Sequence, residues 1–596
     1  MSSKKYGSNF LKGVREYRVG PEVTSDAISQ FLESLDCPRS LAVLILFRNG
    51  EHQQLLDLEF DPSYYLTGND CRDAYAATKF LSKYKDLSLD RDLDDVAKKK
   101  FLEFELLCKQ TNARFRKLEH DQKFTSHVVW LHNAVVRKIS NILGEFSPQD
   151  FFEMPDWGPG ASTLIKRRFA SSTNKFQCET GITRELHALI PTELLREVYP
   201  LWAAHLADSK FPDYQVGNRV VTVPKDAKTN RVIAIEPGMN LWFQKSIGDM
   251  IGLKLRRCGN DLRYQSRNQE LARSSSITDE LATIDFSSAS DSISYSVVRE
   301  LLPKRWFEVM DSCRSHFGSL DGKLFRWEKF SSMGNGFTFQ LESLIFFAAA
   351  YCCAEYIGLD YKSIDKRVSA YGDDVIVPSA CLGIFSDLMD FYGFRINGDK
   401  SYYNSPFRES CGSHYYRGLD LKPVYLKDRL SSLQTVFRLA NAFRRFSHRF
   451  YQNIGDFCDI RQRGVFEHLV HKVPSAFRLR IPHHIGDGGF ISNFDEATPS
   501  RARFGIEGYF VYTLSEVSKT YQEDRVGYLL SNLWAMPNLA VPINWGAEGQ
   551  TRLQAIERLV QVSPKDGRNS VHLVGDLKLR ISKSLVQQWC NLGEWI

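Results

Sequence analysis

An α+β or α/β fold is predicted for this chain by three features of its sequence. The middle third alternates short β-branched or aromatic runs with helical stretches, helical character returns after about residue 430, and no segment repeats at a fixed period. With 596 residues, 43% hydrophobic and 25% charged, and with 40 Phe, 25 Tyr and 10 Trp, the chain can build several packing units around a large core. Such a composition excludes the disordered class. Lys plus Arg at 77 against Asp plus Glu at 71 leaves a net charge of +6, too small to coat nucleic acid by bulk charge, so any anion-binding surface must be local.

The elements follow in chain order. The N-terminus, Met1 to Gly7, has no apolar stretch behind its lysines, which predicts an intracellular protein. Leu41 to Phe47 is a short apolar run between Arg39 and Arg48 and predicts a buried element. Asp94 and Asp95 can cap a helix on which Ala97, Phe101, Phe104 and Cys108 recur at spacings of three and four, with Lys98, Lys99 and Lys100 on a solvated face. In the segment Val223 to Arg231, Lys225, Lys228 and Arg231 flank turn residues and could receive a triphosphate, although alone it reads as a solvated loop.

Arg231 to Ile235 reads as a strand ended by Glu236-Pro237-Gly238, and Leu281 to Ile284 as a strand running into Asp285, with Ser287 or Ser288 capping the next helix. Ser331 to Glu342 is a glycine-containing loop, with Gly334 and Gly336, that enters an apolar helix. That run, Leu344 to Ala354, is far shorter than the roughly 20 residues that span a bilayer, so it predicts a buried helix. Val368 to Pro378 is two β-prone runs meeting at Gly372-Asp373-Asp374, the pattern of a hairpin. Farther on, Arg444, Arg445 and Arg449 interleave with Phe443, Phe446 and Phe450, and Arg461 and Arg463 follow. This reads either as a surface that stacks nucleic acid or as core phenylalanines beside a solvated face. The 12 scattered cysteines, without Cys-x-x-Cys, predict reduced thiols, and His468, His471, His483 and His484 lack the partners of a zinc site.

A lone Gly-Asp-Asp is most simply a solvated turn. Two adjacent carboxylates at a hairpin tip nevertheless repel each other unless a cation neutralises them, and in strand geometry they point to opposite sides. Asp285 changes the reading. If its strand lies beside the hairpin, Asp285, Asp373 and Asp374 can hold two Mg²⁺ ions roughly 4 Å apart, an arrangement suited to phosphoryl transfer. One ion would activate an attacking hydroxyl and the other would stabilise the leaving pyrophosphate.

In this order and spacing the segments resemble the motifs of an RNA-dependent RNA polymerase, and specifically the replicase catalytic (beta) subunit of the single-stranded RNA bacteriophages, the leviviruses. The resemblance rests on Val223-Pro224-Lys225 with Arg231 to Pro237, Leu281 to Ser294, Ser331 to Glu342 with Leu344-Ile345-Phe346, Tyr371 to Val377, and Pro406 to Gly412 with His414-Tyr415-Tyr416. Ser82-Lys83-Tyr84, Thr111 to Arg114 and Ile481-Pro482 with Gly486-Asp487-Gly488 extend it over most of the chain; the last hundred residues match weakly.

The resemblance implies a right-handed polymerase of fingers, palm and thumb, its palm an antiparallel sheet flanked by helices. The divisions it implies are an N-terminal extension of the fingers (1–90), fingers (91–275), palm (276–425), and thumb with C-terminal region (426–596). It further implies Asp285, Asp373 and Asp374 as catalytic Mg²⁺ ligands, with Mn²⁺ able to substitute, and Lys400 as a general acid toward pyrophosphate. Lys225, Lys228, Arg231, Asp291, Gly334 and Asn335 are implied to bind the nucleotide, with Asp291 and Asn335 near the sugar hydroxyl. Glu342 departs from the pattern, since many viral polymerases have Asn there. Implied partners are template and product RNA, ribonucleoside triphosphates, host elongation factors Tu and Ts and a small-subunit ribosomal protein. No membrane is involved, and the implied location is the cytoplasm of the infected bacterium.

Three rival readings each require a feature that this sequence lacks or contradicts. A reverse transcriptase usually blocks the sugar pocket with a bulky residue, against which Asp291 argues. A non-catalytic RNA-binding relative would not need the intact aspartate trio. A P-loop ATPase needs a Gly-x-x-x-x-Gly-Lys-Ser/Thr motif that does not occur.

Overall fold

A computed structural model describes residues 8–118, 127–449, 451, 455–502, 506–518, 526–535 and 577–596. The run Leu41 to Phe47 lies in helix α1 (Pro38–Arg48), but it is only half buried: Val43 and Leu44 are covered, whereas Leu41 is 58% and Ile45 49% exposed. Seven consecutive apolar residues on a helix point in all directions, and only one face of α1 has a neighbour, chiefly helix α2 (Gly68–Phe80). In helix α3 (Leu93–Leu118) the predicted stripe of Ala97, Phe101, Phe104 and Cys108 is buried, and Asp94 and Asp95 occupy the first turn, where the helix dipole favours acids.

Two sheets carry the middle of the chain. Strands β1 (Asn218–Val223) and β2 (Arg231–Ile235) pair antiparallel, with Val223 opposite Arg231. Helix α4 (Ser266–Thr278) leads into β3 (Leu281–Ile284), and helix α5 (Tyr295–Leu301) follows. Strands β4 (Phe317–Leu320) and β5 (Lys323–Arg326) complete the first sheet in the order β2-β1-β4-β5. Helix α6 (Thr338–Tyr356) is apolar nearly all round and is buried from Leu341 to Ala354, as its sequence requires. It packs beneath the second sheet, in which β6 (Ser369–Tyr371) and β7 (Asp374–Pro378) form the predicted hairpin and β3 pairs antiparallel with β7. The fold is α+β, with an antiparallel sheet flanked by helices at its centre.

Strands β8 (Phe407–Ser410) and β9 (Ser413–Tyr416) form a further antiparallel pair against α4. Helix α7 (Leu433–Arg449) restores the helical character expected after residue 430. Farther on, the chain turns to β structure: β10 (Tyr509–Ser518) pairs along its whole length with β11 (Leu577–Val586). The aromatic and β-branched residues of Tyr509 to Val517 favour that state.

The arginine and phenylalanine run of α7 is core plus ion pairs. Phe443 and Phe446 are buried, Arg444 is 0% exposed and meets Glu496, Arg445 meets Asp487, and Arg449 meets Asp420. Arg461 pairs with Asp73 and Asp459, and Arg463 with Glu467. Phe450 lies outside the described residues. All twelve cysteines are free thiols. No helix among the described residues is long and apolar enough to cross a membrane.

Two cores dominate. One runs from α3 through α6 and the second sheet, and the other joins Phe10 to Leu87 with Val424 to Leu514. The beginning of the chain therefore packs against its last third.

Candidate active site

Strand β3 ends at Asp285, and the register Ile284 opposite Val375 sets that carboxylate beside the hairpin tip. The local backbone is held on both sides: Asp285 N–H donates to Ser401 Oγ at 3.1 Å, and Asn397 N–H donates to the Asp285 carbonyl at 2.9 Å. Ser288 occupies the left-handed region at φ 53° before a short 3-10 turn, Ala289–Asp291, and makes no side-chain cap, so the predicted serine-capped α-helix is only a single turn here.

At the tip, Tyr371 pairs with Asp374, leaving Gly372 and Asp373 as the two-residue loop. Gly372 has φ 62° and its N–H donates to Ser343 Oγ of α6 at 2.8 Å, which pins the tip to the helix. Adjacent aspartates diverge as strand geometry dictates. Asp373 lines a pocket with Asp285, while Asp374 Oδ1 accepts from Cys411 N–H at 3.0 Å and Ser410 Oγ at 3.4 Å between β8 and β9. Burial pushes the Asp374 carboxyl up to about 7; the Cys411 hydrogen bond opposes this, and repulsion from Asp373 and Asp285 adds to it.

The pocket has a volume of about 170 Å³, and its walls are Lys100, Lys225, Arg231, Asp285, the turn Ser287 to Asp291, Met333, Asp373, Asn397 and Lys400. Lys400 Nζ lies 3.3 Å from Asp285 Oδ2. Burial raises the Asp285 carboxyl, Lys400 pulls it back, and Asp373 raises it further. Burial alone would lower the Lys400 ammonium, but Asp285 and Glu409 hold it above its ordinary value. Lys225 is lowered by burial. Four cations thus share the pocket with three carboxylates, of which Asp285 and Asp373 repel each other.

Other residues singled out from sequence lie around this pocket. Lys228 lines a neighbouring cleft of about 750 Å³ with Lys79, Asp399 and Tyr402, instead of joining Lys225 and Arg231. Asp291 lines the pocket, and its Oδ1 is 3.4 Å from Nζ of Lys329, a lysine 1% exposed. Gly334 holds φ 113°, where an added Cβ would sit 2.2 Å from the Ala234 carbonyl oxygen, so glycine is needed for the loop to approach β2. Asn335 is buried and its Oδ1 accepts from Phe337 N–H at 3.0 Å; neither it nor Gly334 lines the pocket, whereas Met333 does. Glu342 is buried and accepts from Ser290 Oγ at 3.0 Å, and burial with repulsion from Asp373 holds its carboxyl well above the usual range.

Sequence reasoning missed Lys100 and Lys329. The lysine run predicts a solvated face for Lys100, yet it stands three residues after buried Ala97 and four before buried Phe104, on the edge of the stripe, and reaches the pocket. Lys329 carries no periodic signal; its environment is built by distant Glu105, Asp291 and Phe101.

No set of three or more His, Cys, Asp or Glu among the described residues is gathered into a metal cage. The donor chemistry still fits Mg²⁺. That ion takes oxygen ligands, retains waters, and is usually bound through one or two carboxylates plus substrate phosphates. Asp285 and Asp373 supply two such carboxylates whose repulsion a cation relieves.

Comparison with known proteins gives a consistent result. Residues 40–493 match the family RNA replicase, beta-chain. The RNA-directed RNA polymerase subunit beta of Escherichia virus Qbeta is 36% identical over 441 residues, 73% of this chain and 72% of that protein. The corresponding subunit of Qbeta virus (strain MX1) is 34% identical over 80% of this chain and 79% of its own length. The RNA-directed RNA polymerase beta chain of Escherichia phage MS2 is 36% identical over 60% of this chain and 64% of its own. The solved RNA-dependent RNA polymerase of a human picorbirnavirus is a looser likeness, with a TM-score of 0.30 and 13% identity over 44% of this chain and 56% of that one.

Proposed function

We propose, from the premise that the chain belongs to the RNA replicase, beta-chain family and is an RNA-directed RNA polymerase, that nucleotidyl transfer occurs where Asp285 and Asp373 meet. The observation that carries this reading is the pairing of β3 with β7, which sets these two carboxylates in one pocket with Lys100, Lys225, Arg231 and Lys400. An RNA 3′-hydroxyl attacks the α-phosphate of a ribonucleoside triphosphate, and pyrophosphate leaves.

Lys100, Lys225 and Arg231 receive the triphosphate, with Lys228 at the neighbouring cleft on the approach. Mg²⁺ bound through Asp285 and Asp373, with Asp374 behind them on the hairpin, would supply charge neutralisation at the α-phosphate and leaving group. Asp285 orients Lys400, whose ammonium stays protonated and can pass a proton to the departing pyrophosphate oxygen. Asp291, held by Lys329, faces the sugar side of the pocket, and the Gly334-Asn335 loop fixes Met333 in its wall. Catalysis on this reading is positioning plus charge stabilisation.

In hand terms we assign the hairpin and β3 to the palm, the basic loop after β1 to the fingers and the region after residue 426 to the thumb. Two metal ions, host elongation factors Tu and Ts with a small-subunit ribosomal protein, and the cytoplasm of the infected bacterium complete the proposal. The test is ribonucleotide incorporation on an RNA template by the purified chain, beside Asp373→Asn and a deoxynucleotide control. Incorporation lost in the variant is the expected result. Preference for deoxynucleotides, or synthesis by Asp373→Asn at the wild-type rate, would overturn the proposal.

A further inference from the structure

A second basic cleft lies behind the active pocket. It has a volume of about 270 Å³ and is lined by guanidinium groups from four separate segments: Arg116 of α3, Arg299 of α5, Arg314 after the helix Lys304–Cys313, and Arg326 at the end of β5. Two carboxylates also line it, and both are engaged. Asp311 accepts from Arg314 Nε at 2.6 Å and lies 3.2 Å from His316, while Glu328 Oε2 accepts from Asn112 Nδ2 at 2.9 Å. Four arginines against two lining acids leave the cleft positive, even with Arg299 3.3 Å from Glu300 beside it.

Arg314 makes this a built site. It is 4% exposed, with its guanidinium carbon 5.1 Å from the ring centroids of both Tyr295 and Phe330. Its Nη1 is buried without a hydrogen-bond partner among the described residues, although leaving a buried charged donor unsatisfied is unfavourable. The Arg314 side chain lines the cleft, so an oxyanion bound there meets a guanidinium whose hydrogen-bonding capacity is not fully used. The floor is rigid: Asn112 Oδ1 accepts from Ser296 N–H at 2.8 Å, and Tyr295 N–H donates to the Glu328 carbonyl at 3.1 Å. Guanidinium forks match the geometry of phosphate oxygens, and clustering several from different elements gives a site for one tetrahedral anion.

We propose that this cleft, centred on Arg314, binds a phosphate group separately from the nucleotidyl-transfer pocket. The phosphate is either a backbone phosphodiester of RNA or the terminal group of a free nucleotide or pyrophosphate. The cleft and the active pocket stand back to back, because Glu328 lines the first and the adjacent Lys329 meets Asp291 of the second.

The test compares the full chain with Arg116→Gln/Arg326→Gln, both exposed positions whose change leaves the buried Arg314 in place, and with Arg305→Gln as an exposed control outside the cleft. Binding of a labelled single-stranded RNA is measured across salt concentrations, and binding of inorganic pyrophosphate by titration calorimetry. An RNA source lowers the salt slope of the double variant by about 0.7 per lost phosphate contact. A small-anion source leaves that slope unchanged and removes one pyrophosphate site. Unchanged RNA and pyrophosphate binding, or equal losses in Arg305→Gln, would overturn the proposal. Both are equilibrium measurements, so their outcome is independent of whether the transfer chemistry is correctly placed.

Discussion

Gly334→Ala is the sharpest probe of how the active-site loop is held. At φ 113° an alanine is forced into a backbone region that costs on the order of 1–3 kcal/mol, and its Cβ would stand 2.2 Å from the Ala234 carbonyl oxygen and 3.0 Å from Ile233 Cγ2. Neither β2 atom belongs to a flexible side-chain end, so the loop must back away. Doing so breaks the 2.8 Å hydrogen bond from Ala234 N–H to the Met333 carbonyl, worth about 1 kcal/mol. The sum is a loss of about 2–4 kcal/mol. Gly322→Ala is the control: it too has positive φ, at 77°, but its Cβ would meet nothing within 4 Å, so only the conformational part of the cost applies. Urea denaturation reads the stability of both variants, and ribonucleotide incorporation reads the pocket. Because Met333 is in the pocket wall, displacement by about 1 Å at Gly334 is expected to cut turnover on the order of 10²-fold, while Gly322→Ala keeps near-normal synthesis. Equal stability and equal activity in the two variants would refute the close approach.

Asp374→Asn is expected to remain folded, because Asn can still accept from Cys411 N–H, yet to lose most turnover in the incorporation assay; near-normal synthesis would remove Asp374 from the catalytic set. Lys100→Ala removes a pocket cation that touches no acid in the pocket, and should raise KM for the nucleotide several-fold with a smaller change in kcat, measured by steady-state kinetics. The buried network of Arg72, Asp73, Asp459 and Arg461 ties α2 to the last third of the chain, and Arg72→Met should destabilise by about 3–5 kcal/mol, read by denaturation. Burial pushes Asp459 up, but Arg461 and Arg72 outweigh it and hold its carboxyl below the usual range. Its contribution to stability is therefore full above the unfolded value near about 4 and disappears as pH falls through the depressed folded value. Acid titration of stability should be shallower in Asp459→Asn than in the wild-type chain.

Local signals in the sequence carried the central sheet. Strands Arg231–Ile235 and Leu281–Ile284 and the hairpin around Gly372 lie where β-branched runs and turn residues put them, because each is short, apolar and bounded by its own punctuation. Asp285, Asp373, Lys225, Arg231, Asp291 and Lys400 all reach one pocket. What the sequence could not convey is direction. Lys228 turns to the neighbouring cleft although it lies within six residues of two pocket cations, and Asn335 spends its side chain on Phe337 N–H. Periodicity placed Lys100 in a run of three lysines with one environment, yet a helix turns 100° per residue, so Lys98 meets Asp321 and Lys100 meets the pocket. Lys329 and Arg314 owe their burial to side chains many positions away, which no local pattern encodes.

The shared core of the chain's first helices and its last third has a consequence for biosynthesis. Phe31 stacks on Phe443 at 4.6 Å and leans on Phe80, and Leu87 waits for Val424 and its neighbours, 337 positions later in the chain. At about 5–20 residues per second, a ribosome takes roughly 20–70 s to deliver that partner. Throughout that time these helices carry an apolar face whose native cover has not yet been made. Closure of this core is thus a late event in translation, and the helices up to Leu87 need shelter until Val424 and its neighbours arrive.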